Sequence, residues 1–364
     1  MPSAVEHLNV LAATGRPAGS EAEAVARRYA QAQLTASGFA VTEEAFEYSA
    51  FPGRMATPAV GVALGVTLVA TAAAALLDSE RLSVALLVSG LLATLAFVRR
   101  MLGTGVLDVP WMRRKGVNVV ATRGSAAPSV WLVAHLDSKS QPIPSAVRVI
   151  GVAVVASVVV LAMVAAGLML AGAAPRALWW IVLAGGLAGS LPVIASVVGN
   201  RSDGAVDNAS GVAAVLSAAA LVRPNVPFGV LLPSAEELGL TGARAFVRGR
   251  APAIALNCDG VDDDGALVIM HNGVAPARIV AAVTDAAGDN TTARARRMPL
   301  GLLTDSTAFH DAGWKAVTVS YGSLATLRRV HTSRDSLATL KGTRLDEVGR
   351  VLAAAVMRLA SDEG

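Results

Sequence analysis

At 364 residues the chain is long enough for two ordinary domains, yet 54% of it is hydrophobic with only 4% aromatic and 16% charged residues, which excludes a disordered chain and a uniformly soluble composition. A net charge of +4 with no stripe of interleaved basic and aromatic residues argues against nucleic acid as a partner and leaves anionic lipid headgroups as the expected counter-charge. The single cysteine, Cys258, excludes an internal disulfide framework and agrees with a reducing compartment.

The N-terminus lacks a charged segment followed by an apolar run, so no cleavable signal is expected. A helical pattern runs over residues 20–37 and ends at Gly38, and the alternation over 39–48 predicts a strand. Two uncharged apolar runs follow, 58–77 and 82–98, separated by a brief turn at 78–81. Each is near the roughly 20 residues a membrane-spanning helix needs, the second only if Arg99 and Arg100 snorkel. Strands are predicted at 117–122 and 129–135, on either side of a Gly-Ser-Ala-Ala-Pro turn.

A second pair of uncharged runs, 149–171 and 177–199, is joined by a turn at 172–176. Runs this long are costly to cover as buried helices of a soluble domain, so all four are expected to span a membrane as two hairpins. Trp179 and Trp180 suit an interfacial belt, and Gly185 with Gly189 forms a GxxxG that suits helix packing. Arg54, Arg99, Arg100, Arg113, Arg114, Lys115, Lys139, Arg148 and Arg201 lie on the large hydrophilic side, against Arg81 and Arg176 on the other, which places that side in the cytoplasm.

Beyond the second hairpin the pattern alternates: helix 209–222, strand 228–232, helix 241–248, strand 253–257 and a terminal helix 344–360. The chain is therefore expected to hold one α/β domain in three pieces, 1–57, 99–148 and 200–364, interrupted by transmembrane hairpins at 58–98 and 149–199. No internal repeats or low-complexity tails accompany them.

Several metal-ligating residue types stand where apolar runs end. In AHLDS (134–138) Asp137 projects to the same side as His135 and is placed to accept its second ring N–H. Asp207, in VDNASG (206–211), begins a helix, where Asp207, Asn208 or Ser210 would serve as an N-cap and Asp207 alternatively as a metal-bridging carboxylate. Glu236 and Glu237 follow a strand through SAEELG (234–239), Asp259 follows another in NCDG (257–260), and His331 lies in the polar segment HTSRDS (331–336). Individually each has an ordinary structural reading: a strand-end histidine, a cap, a solvated pair, a turn aspartate, a solvated histidine. Their joint order is more specific.

That order resembles the zinc-dependent aminopeptidases of the M28 peptidase family, with further likeness in GRPAGS (15–20) and TDSTAFHDAG (304–313). The resemblance covers nearly all of the chain outside the four apolar runs. It implies a mixed β-sheet flanked by helices and two zinc ions, one held by His135 and Asp259, the other by Glu237 and His331, with Asp207 bridging them. It further implies that Asp137 orients His135 and that Glu236 is the general base for a zinc-activated water. The expected activity is removal of residues from peptides with a free N-terminus, and the expected setting is the lipid bilayer.

The chain departs from the family at the tyrosine available to an oxyanion: Val330 and Leu302 occupy the two usual places, leaving Tyr321 as a substitute. Glutaminyl cyclisation, carboxypeptidase action and a non-catalytic membrane scaffold are the alternatives. The complete set of ligands argues against a one-zinc cyclase and against a silent scaffold. Four spans without an interior charge offer no ion path for a transporter, and Ser210 lacks the setting of a nucleophilic serine.

Overall fold

The computed structural model describes residues 2–102, 105–124, 127–173, 175–288, 291, 293–299 and 301–361. Its elements begin with α1 (Ala4–Leu11), α2 (Glu21–Ala36), β1 (Ala40–Ser49), α3 (Thr57–Leu76), α4 (Glu80–Met101), α5 (Gly105–Asp108), β2 (Arg113–Arg123) and β3 (Val130–Val133). There follow α6 (Ser145–Leu170), α7 (Arg176–Ile194), α8 (Gly211–Leu221), β4 (Phe228–Leu232), α9 (Thr241–Val247), β5 (Ile254–Val261) and β6 (Ala266–His271). The chain closes with α10 (Ala277–Ala287), β7 (Ala293–Arg297), α11 (Asp305–Asp311), β8 (Lys315–Gly322), α12 (Leu324–Arg329) and α13 (Leu345–Ser361). Ser125 and Ala126 of the expected strand-linking turn, and Ala174 of the second hairpin's turn, lie outside the described residues.

The chain forms two compact units, one of residues 1–49, 112–140 and 200–364, the other of residues 50–111 and 141–199. The first is a mixed sheet of eight strands, in the order β1-β2-β4-β3-β5-β8-β6-β7, flanked by helices. Strands β4, β3, β5 and β8 run parallel, while β1, β2 and β6 join antiparallel partners. Alternation along each central strand feeds two cores. Leu132, Val230, Leu256 and Val317 face one core with Leu216 of α8 and Leu352 of α13. Trp131, Leu231, Ala255 and Ala316 face the other with Phe246 of α9 and Phe309 of α11. In that second core the Trp131 and Phe246 ring centroids are 4.9 Å apart in an edge-on contact.

Local chemistry sets the element ends. The Ser20 hydroxyl accepts from the Glu23 amide at 3.2 Å, capping α2, and Glu21 and Glu23 lie in its first turn where the helix dipole favours negative charge. Strand β2 is longer than the sequence pattern suggests because Arg113, Arg114 and Lys115 continue its pairing with Tyr48 and Glu47 of β1 despite their exposure.

The second unit holds α3, α4, α6 and α7, and four of its helical segments, Pro52–Leu76, Glu80–Met101, Val147–Leu170 and Arg176–Ile194, are long and apolar enough to cross a membrane. Arg99 and Arg100 fall in the last turn of α4, which extends past the apolar run. Small residues let the helices approach: a Cβ at Gly65 would sit 2.8 Å from Ser190 Oγ, and one at Gly186 2.9 Å from Leu68 Cβ. Gly185 and Gly189 face Val158 and Val155 of α6, so the GxxxG seats the neighbouring helix of the same hairpin. Outward positions remain apolar, with Leu92, Val160, Met163 and Ile181 exposed. Trp179, unlike Trp180, is buried in the bundle core beside Leu68 and Val182 rather than at its surface.

Each crossing between units leaves and returns at neighbouring points of the first unit. Ser49 pairs with Arg113 across β1 and β2, and the Ser140 hydroxyl accepts from the Arg201 amide at 2.7 Å.

Candidate metal centre

Because β3, β4 and β5 are parallel, their carboxyl ends share one edge of the sheet, and the chemistry gathers there. His135 and Asp137 follow β3, while Glu236 and Glu237 form a single turn of 3₁₀ helix after β4. Asp259 lies within β5, at a register shift between Cys258 and Val261, rather than beyond the strand. Asp207 precedes α8, and His331 follows α12.

All the expected ligands converge. His135, Glu236 and Asp259 form one group whose ligand atoms lie within 4.8 Å of one another, and Asp207, Glu237 and His331 form a second. Asp207 links them: its Oδ1 is 3.2 Å from His135 Nε2 and its Oδ2 is 2.9 Å from His331 Nε2. Asp259 Oδ1 is 3.7 Å and Glu236 Oε2 4.0 Å from His135 Nε2, while Glu237 Oε1 is 3.4 Å from His331 Nε2. The floor is buried, His135 being 1% exposed, whereas Asp207 and His331 at 15% and 17% line the opening.

Backbone contacts hold these groups in place. His135 Nδ1 lies 3.0 Å from the Asp137 main-chain carbonyl and 3.6 Å from its carboxylate, so the carbonyl is the hydrogen-bond partner. The Asp137 carboxylate instead accepts from the Glu236 and Glu237 amides, at 3.0 and 3.2 Å, locking the doubled glutamate to the histidine loop. Capping falls to Asn208, whose Oδ1 accepts from Gly211 and Gly260, which leaves the Asp207 carboxylate for the centre. Ala235 and His331 have φ of 59° and 63°, a left-handed backbone that is costly for residues with a Cβ and often found at functional sites.

Two residues that sequence reasoning did not single out fix the Asp207 loop. The buried Asp335 carboxylate accepts from the Val206 and Asp207 amides at 2.6 and 3.2 Å. Buried Arg16 donates to the carbonyls of Leu136 at 2.9 Å, Asp203 at 2.7 Å and Gly204 at 2.9 Å, joining the loops of His135 and Asp207. Both lie in segments carrying the family likeness, GRPAGS and HTSRDS, which was the available signal. Gly204, at φ +60°, has no room for a side chain because a Cβ would come 2.4 Å from that of Ser138. Lys139, Nζ 2.5 Å from Glu237 Oε2, and Asp305, fully buried at the start of α11, also went unrecognised as members of the cluster. Tyr321 packs into the hydrophobic core, with the Arg344 guanidinium 5.4 Å from its ring centroid.

The charges are those of a site that wants a cation. Burial alone would lower the His135 pKa, but Glu236, with Asp137, Asp207 and Asp259, drives it well above its ordinary value. Burial and Lys139 oppose protonation of His331, yet Glu237 and Asp207 hold its pKa up at about 9. Burial pushes Asp305 up to about 8 and Asp335 to about 7. Buried His135 Nε2 and Glu237 Oε1 have no hydrogen-bond partner among the described residues. Imidazole nitrogens and carboxylate oxygens so placed fit divalent metal ions, zinc among them.

In the unfolded chain these acids ionise near pH 4 and histidine near 6.5. The metal-free fold therefore binds more protons than the unfolded chain between about pH 5 and 9, and its stability falls as pH rises through that window. Thermal unfolding with chelator should show the midpoint dropping over this range, and loading metal should flatten the profile. A midpoint that rises with pH in chelator would contradict these charges.

The sequence model described as Peptidase family M28 matches residues 118–356. No curated protein matches the sequence significantly. Among solved structures, an aminopeptidase from Aneurinibacillus sp. strain AM-1 is 16% identical over 98% of this chain and 93% of its own, with a TM-score of 0.57. BSAP, a zinc aminopeptidase from Bacillus subtilis, is 14% identical over 97% of this chain and 93% of its own, with a TM-score of 0.57. A Bacteroides thetaiotaomicron glutaminyl cyclase bound to N-acetylhistamine is 14% identical over 97% and 96%, with a TM-score of 0.58. At these identities the likeness is one of fold.

Proposed function

The chain belongs to peptidase family M28, and from that premise we propose that it is a membrane-anchored dizinc aminopeptidase. The observation that carries this reading is the Asp207 carboxylate, whose two oxygens face His135 and His331 at 3.2 and 2.9 Å. His135 and Asp259 would hold one zinc, Glu237 and His331 the other, with Asp207 shared. Zinc ions bound there would lower the pKa of the attacking water and polarise the scissile carbonyl.

The chain's own residues supply the rest. Glu236 takes a proton from the attacking water and delivers it to the leaving amine. In the metal-free site burial raises its pKa well above the usual carboxylate range, against the opposing pull of His135, and Glu237, Asp305 and Asp259 add to the rise. Asp137 acts through the backbone, its carbonyl setting the His135 ring and its carboxylate the Glu236 amide. The four apolar helices support anchorage in a bilayer, and the bias of basic residues supports a cytoplasmic catalytic unit.

The test is a panel of peptides with free, acetylated and glutamine N-termini, incubated with the full chain in detergent micelles. Free N-termini should release single amino acids and acetylated ones none. Cleavage of acetylated peptides would overturn the aminopeptidase reading, and ammonia released from N-terminal glutamine without free amino acid would favour cyclisation.

A further inference from the structure

The two ligand groups share Asp207 but differ in their surroundings. Glu237 divides its oxygens: Oε1 is 3.4 Å from His331 Nε2, while Oε2 is 2.5 Å from Lys139 Nζ. Lys139 is as sheltered as His331, its side chain 17% exposed, so solvent screens its charge less than that of a surface lysine. It follows the histidine loop directly in sequence, and its backbone position is held through Ser138, whose amide donates to the Arg16 carbonyl at 2.9 Å.

We propose that Lys139 makes the two metal sites unequal, weakening the one formed by Glu237 and His331. This rests on the dizinc reading above and specifies how the two sites share the work. The ammonium acts in two ways. It keeps Oε2 occupied, leaving Glu237 one oxygen for the metal, and it adds a positive charge close to where a divalent cation must sit. The site built on His135 and Asp259 is therefore the permanent one, and the site on His331 fills second and empties first. Lys139 is a positioning residue, acting on the metal through Glu237.

The experiment measures zinc release from the zinc-loaded full chain in detergent micelles after adding excess chelator, so no variant has to fold without metal. Wild type should hold two equivalents and lose them in separate phases. Lys139→Met, which removes the charge repelling the cation, should slow the faster phase by about tenfold or more and tighten the weaker site by a similar factor. Lys139→Arg, which keeps the charge, should stay biphasic, and His331→Ala should lack the fast-leaving equivalent while keeping the slow one. Two equivalents leaving wild type together, or Lys139→Met releasing zinc at an unchanged or faster rate, would overturn the proposal while leaving the dizinc reading intact. Wild type that binds fewer than two equivalents would overturn the dizinc reading and this proposal with it.

Discussion

Replacing Glu236 by glutamine is expected to lower kcat by about 10² to 10⁴-fold, with KM and the zinc content little changed. The amide has nearly the shape of the carboxylate but cannot take a proton from water or pass it to the leaving amine. Its position is fixed by the main chain rather than the side chain, since the Glu236 amide donates to Asp137 Oδ1 at 3.0 Å, so the variant should hold the same backbone. The measurement pairs hydrolysis kinetics with metal analysis because Glu236 Oε2 is also 4.0 Å from His135 Nε2, within one of the two ligand groups. Lost activity with two zinc equivalents retained identifies the base. Lost activity together with a lost equivalent would make Glu236 a ligand, and unchanged kcat would remove it from both roles.

Asp207→Asn is expected to be equally damaging by a different route. The carboxylate faces both histidines, and the substitution removes the charge that two metals would share there while turning an N–H toward one of the histidines. At least one zinc equivalent should be lost, and hydrolysis should fall to near background even when zinc is in excess. The loop itself should survive. Asp335 binds the amides of Val206 and Asp207, and Asn208 caps α8, none of which needs the Asp207 side chain. Metal analysis with circular dichroism separates these effects. Two tightly held equivalents in this variant would refute the bridging role.

The parts of this centre that the sequence made legible are those that depend on where strands end. Apolar runs such as SVWLVA and FGVLL mark buried parallel strands, and polar residues immediately after them face a common edge. What was not legible depends on contacts between distant segments. Lys139 reads as one more basic residue near an apolar run until the fold brings it to Glu237. Residue spacing points the Asp137 carboxylate at the His135 ring, but the backbone path brings its carbonyl there instead, at 3.0 Å against 3.6 Å for the carboxylate. Strand β7 is invisible for a different reason: ARARR is an edge strand with Arg294, Arg296 and Arg297 exposed, so it carries no apolar alternation, and basic edges of this kind discourage pairing with other chains. Trp179 packs in the bundle core rather than an interfacial belt because an indole on an apolar helix suits either place.

The paired exit points, Ser49 with Arg113 and Ser140 with Arg201, make each helical hairpin a long excursion that begins and ends at one place. In polymer terms such an excursion costs little to lengthen, about 0.6 kcal/mol for each doubling of a flexible loop. A fold with those two gates can gain or lose a helical module as cargo between closed doors, its sheet register and ligand spacing indifferent to what is hung outside. The apolar helices and the metal-binding sheet then become separately editable parts of a single gene product.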